Sequence, residues 1–138
     1  MTNIEQYVEI LDEVGLKHSE IKTRDNGKQT VTFMYQTELM GKPVSVMVTC
    51  DSCSVEQTVF GIANIPEDKI TNAILMCNDL NAEYRFLKFY VDEENNVVVE
   101  DDAFLDEHSA GAEIFAVTKI MLEKLNDIYG RFMKAIWA

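Results

Sequence analysis

Apolar and polar residues alternate with two different periods along this chain, and the switches between periods predict most of its elements. Ile4, Tyr7, Val8, Leu11 and Val14 recur at helical spacing, so one face of a short first helix is apolar. Thr2 and Glu5 precede that run three residues apart. At this spacing a hydroxyl caps a first-turn amide while the carboxylate bonds back, and Gly15 supplies the stop. From Glu20 the period falls to two. Asp25-Asn26-Gly27 predicts a tight turn, after which Val31, Phe33 and Tyr35 alternate with Thr30, Thr32, Met34 and Gln36. Successive side chains of a strand point to opposite faces, so this run is a strand buried on one side. Gly41-Lys42-Pro43 turns the chain, and Val44, Val46, Val48 and Cys50 repeat the alternation. A weaker pattern over Ser54 to Phe60 predicts one more extended segment.

The helical period then returns. Asn64-Ile65-Pro66-Glu67-Asp68 opens a second helix: proline is tolerated in a first turn, and the two acids complement the positive end of the helix dipole. Ile70, Ala73, Ile74, Cys77 and Leu80 make its apolar stripe. Asn78 and Asn81 follow three apart near its end, where Asn tolerates left-handed geometry and is expected to cap the helix and steer the chain into a strand at Phe86, the alternative being that they bind a ligand's amides. Phe86 to Val91 and Val97 to Glu100, joined by an Asn-containing turn, predict a hairpin with Leu87, Phe89, Val97 and Val99 on its core face. Ser109 caps a last helix reaching Ile136, with a wide apolar stripe from Ile114 onward. The order helix, three or four strands, helix, two strands, helix predicts one α+β domain over residues 1–138.

The last helix is too long for the sheet it packs on. At 1.5 Å per residue it spans about 40 Å, against about 20 Å for a six-residue strand. Tyr129, Phe132, Met133, Ile136 and Trp137 therefore need cover from elsewhere. Either this end folds back onto the domain, with Gly130 as the place to bend, or these five residues form a dimer interface or a partner-binding surface.

Charge and chemistry narrow the roles. Twelve Lys and Arg against 24 Asp and Glu give a net charge of −12, a surface that repels nucleic acid and anionic lipid. The N-terminal residues lack the basic start and apolar run of a signal peptide. No apolar stretch approaches the roughly 18 residues of a membrane span, and the three cysteines allow no dense disulfide framework. These features point to a reducing cytoplasm. Cys50 and Cys53 have the spacing of half a zinc site, but no second ligand pair completes it, so no metal is expected. A thiol-based redox role for Cys50 and Cys53 is one alternative. The Asp92 to Glu107 segment is rich in carboxylates without forming a calcium loop, since Val97 and Ala103 stand where Gly and a bidentate Glu are needed. An enzyme using these acids is a second alternative. No nucleophile–base pair, phosphate loop or cofactor motif is present, so neither catalytic nor cofactor-binding residues are assigned.

The stretch from the Pro-Glu-led helix through "CNDLN" and "AEYRFLKFYVDEENNVVVEDD" to the long last helix resembles the YbjN family, clearest over Asn64 to Tyr129. That family is labelled as regulators of bacterial sensory transduction. The resemblance implies a fold similar to type III secretion chaperones, three helices against a twisted antiparallel sheet, and no catalytic residues. It also implies a protein or peptide partner bound in extended form, or a second copy of the chain as a homodimer. The region from Asp51 to Gly61 departs from the pattern and implies an extra strand or excursion. The reading is a non-enzymatic, polypeptide-binding or regulatory protein.

Overall fold

The computed structural model describes residues 1–137. The first helix, α1 (Asn3–Glu13), starts at the expected capping box: Thr2 Oγ1 accepts from Glu5 N–H, and Glu5 accepts from Thr2 N–H. Ile4, Tyr7 and Leu11 are buried along its inner face, whereas Val14 lies beyond the last turn and is exposed. A two-residue strand, β1 (Lys22–Thr23), then leads into β2 (Gln29–Tyr35), β3 (Val44–Cys50) and β4 (Ser54–Phe60). After a single 3-10 turn come α2 (Ile70–Glu83), the hairpin β5 (Leu87–Val91) and β6 (Val97–Phe104), and the long α3 (Ala110–Trp137). Pro66 precedes the 3-10 turn, so the second helix begins four residues later than its proline suggests.

The six strands form one antiparallel sheet in the order β1-β2-β3-β4-β6-β5. Three helices pack on it, giving the α+β architecture expected. Register defines the inner face row by row. One row runs Phe33, Val46, Val59, Val99, Phe89, and the next runs Val31, Val48, Gln57, Asp101, Leu87. Every member of both rows is buried. The opposite face carries Met34, Glu56, Phe60, Lys88 and Asp102, all exposed.

The faintest strand in the sequence is a central one. β4 lies between β3 and β6, and its alternation is blurred because polar Gln57 occupies an inward position. Gln57 is satisfied there: its Nε2 donates to Ile114 O at 3.0 Å, and its Oε1 accepts from Thr118 Oγ1 at 2.7 Å. Tyr7 OH meets the same Thr118 hydroxyl at 2.9 Å, so one buried chain of hydrogen bonds joins α1, α3 and the sheet. α1 and α3 touch backbone to backbone where they cross. A Cβ on Gly111 would stand 2.8 Å from the Gln6 carbonyl carbon, so only glycine fits there.

Three local expectations are corrected. β6 continues to Phe104, four residues past Glu100, because pairing with β4 on its second side holds it extended. Its acids therefore belong to a central strand, and Asp101 points inward rather than into solvent. Burial pushes that carboxyl up to about 6. Phe86 does not start β5: it takes a left-handed turn at φ 72° and is 72% exposed. Ile74 faces solvent, which narrows the buried stripe of α2 to Ala73, Cys77 and Leu80.

Candidate binding site

The last two turns of α3 form one wall of a groove of about 510 Å³, built from three separated stretches of chain. The second wall is the loop between β2 and β3, with Met40, Gly41 and Lys42. The floor is the segment after β4, with Ile62, Ala63 and Pro66. Each stretch is fixed by its own bonds. Gln36 Nε2 donates to Met40 O at 3.1 Å, and Met40 N–H reaches Thr37 O, which folds the loop on itself. The floor is zipped to the β5–β6 turn, where Ile65 N–H donates to Asn95 O at 2.7 Å and Val97 N–H to Ala63 O at 2.9 Å. α2 runs antiparallel beside the end of α3. Asn72 Nδ2 donates to Ala135 O at 3.3 Å, Tyr84 OH donates to Asp127, and Arg131 pairs with Glu83. Among the described residues the walls of the groove are thus each held in place within the chain itself.

Of the five residues singled out in the sequence, Tyr129, Met133, Ile136 and Trp137 line this groove. Phe132 does not line it: it sits beside Ile136 on the core side of the same turns and is wholly buried. Ile136 is almost entirely buried, Tyr129 and Met133 are half-buried, and Trp137 is 80% exposed. α3 continues through Gly130 to Trp137 as one helix. The residues that sequence reasoning missed, Met40 and the Ile62 to Pro66 floor, sit in loops with no periodic signal. An apolar Met inside a turn was the one available hint.

The other candidate chemistries are dispersed. Cys50 faces the core at the end of β3, and burial pushes its thiol up to about 11. Cys53 lies in an exposed turn, where the bonded Asp51 carboxylate raises its pKa as well. Both thiols are therefore poor nucleophiles. Asp92 is occupied by the amides of its own turn, accepting from Glu94 and Asn96 N–H at 2.9 Å each. Glu100 accepts from Tyr90 OH at 2.6 Å and lies 3.7 Å from Lys88 Nζ. With Asp101 on the inner face, these carboxylates divide between a turn and two faces of the sheet. Asn81 does not cap its helix: its amide donates to Phe89 O at 3.0 Å and accepts from Phe89 N–H at 2.7 Å. It thereby satisfies the outer edge of β5, where another chain could otherwise pair. Among the described residues, no group of three or more His, Cys, Asp or Glu side chains is placed to hold a metal ion. No described helix is long and apolar enough to cross a membrane.

The YbjN family model, described as "Putative bacterial sensory transduction regulator", matches residues 4–129. No curated protein matches the chain.

Proposed function

Starting from the fact that the chain belongs to the YbjN family, we propose that it is a non-enzymatic regulator that binds a segment of another polypeptide in the groove at the end of α3. The observation that carries this reading is Trp137, a large aromatic standing in solvent on a helix end that α2 otherwise fixes. Aromatic and Met side chains are enriched at protein interfaces, and here Met40 and Met133 both line the groove with Tyr129 and Trp137. Thioether chains adapt to irregular surfaces, which suits a site that accepts a peptide rather than one small ligand. Three helices on one antiparallel sheet are consistent with a type III secretion chaperone-like fold, and that likeness is part of the proposal. Tyr129, Met133, Ile136 and Trp137 are the contact residues, and Phe132 supports them from behind.

Gly41 offers the cleanest test. Nothing lies within 4 Å of a Cβ built there, and its φ is not positive, so Gly41→Leu should fold while filling the groove. Parent, Gly41→Leu and Trp137→Ala proteins are used as bait in the native lysate, with partners quantified by mass spectrometry. A polypeptide held by the parent and lost from both variants supports the proposal. Equal recovery on all three baits contradicts it.

A further inference from the structure

Resting on that reading, the lining of the groove also says what chemistry its occupant carries. Acids outnumber bases 24 to 12 in this chain, yet no Asp or Glu is among the described residues that line the groove. Lys42 is the one charged residue among the described lining, exposed in the loop before β3. Lys42 has no ion pair among the described residues, whereas the Arg131 guanidinium nearby is already committed to Glu83 and Asp127. The carboxyl end of α3 would lend the site partial negative charge. That end is offset by Lys134 in the last turn and by the Asn72 amide donating to Ala135 O. Among the described lining residues the charge presented is therefore one ammonium beside apolar side chains, opposite in sign to the chain's net charge.

We infer that the groove takes a polypeptide segment presenting a few apolar side chains beside a carboxylate, with that carboxylate paired to Lys42. The apolar side chains supply the affinity by covering Trp137, Met133 and Tyr129, which keep exposed surface. The ion pair sets which segments are accepted and in which direction they lie. An exposed pair is weak, and covering the groove strengthens it by removing water from one side. A segment with a basic residue at the same position meets like charge and is rejected, which is how a protein of net charge −12 avoids holding every basic peptide it attracts.

The test uses three fluorescein-labelled peptides with the same Leu and Phe anchors, differing at one position as Glu, Gln or Lys. Affinities are read by anisotropy near 0.15 M salt, where long-range repulsion is screened. The Glu peptide should bind the parent about fivefold tighter than the Gln peptide, and the Lys peptide weakest. Lys42→Met keeps the apolar stem and should erase the preference, while Lys42→Glu should reverse it. Equal affinity of all three peptides for the parent, with all lost in Gly41→Leu, leaves the groove reading intact and overturns the charge inference. Binding that survives Gly41→Leu, or no binding of any peptide, sinks the groove reading itself. A parent that sediments as a dimer and becomes monomeric on Trp137→Ala shows that a second copy fills the groove, which also overturns the inference.

Discussion

The two halves of α3 carry the same apolar pattern but are covered differently. In the first half Ile114, Thr118, Met121 and Leu125 are buried, and α1 crosses so closely that Gly111 meets the Gln6 backbone. In the second half Ile128, Phe132 and Ile136 are buried on the core side. There α1 is replaced by α2, which holds the flank of α3 through polar bonds from Asn72, Glu83 and Tyr84. The side away from α2 stays open, and Tyr129, Met133 and Trp137 line it. An apolar stripe wider than the surface covering it is what separates a binding wall from a core helix.

The largest effect that would break this comparison is on stability. Phe132→Ala should cost about 3–5 kcal/mol in urea unfolding, as for other buried aromatics. Trp137→Ala, five residues on, should stay within about 0.5 kcal/mol, the usual range for an exposed position. Similar losses for both would mean that the two sides of the helix end are equally structural. A truncation at residue 131 is a poorer test, because it removes Phe132 and Ile136 from the core together with Trp137.

How much of this was legible beforehand depends on which residues signal locally. The capping box of α1, the alternation in β2 and β3 and the core face of β5 were all readable, because each is a repeat within one element. β4 was faint because Gln57 holds an inward position for bonds to α3, a partner 57 residues away in sequence. Asp101 looked like one more solvated acid, since nothing local marks the residue of β6 that turns inward. The helix end was recognised as surplus from length alone. Its other two walls are loops assembled only by tertiary contacts, so the groove itself could not be read.

The second prediction sharpens the first half of α3. Thr118→Val keeps the shape but removes the hydroxyl that Tyr7 and Gln57 share, leaving two buried polar groups short of a partner. The expected loss is about 1–3 kcal/mol, with no effect on peptide binding at the far end. A loss of peptide affinity would couple two regions described here as independent.

A smaller effect concerns pH. The folded pKa of Asp101 is raised from 3.8 to about 6 by burial. Between those values the folded chain holds a proton that the unfolded chain has released. This contribution to stability therefore falls as pH rises through the window, and it is constant above it. Asp101→Asn removes the buried charge and should raise Tm at pH 8 by on the order of a few degrees, with the gain vanishing near pH 4. An equal gain at both pH values would show that the carboxyl is not ionising in a buried site.

The most direct test of the open helix end uses the only tryptophan in the chain, Trp137. Its emission and its acrylamide quenching are measured while the Glu-bearing peptide is titrated into the parent and into Gly41→Leu. The indole should be red-shifted and readily quenched in the free parent and become blue-shifted and protected on saturation, with no response in Gly41→Leu. An indole already protected in the free monomer, or one still fully quenched at saturating peptide, would contradict the assignment of this helix end as a binding wall.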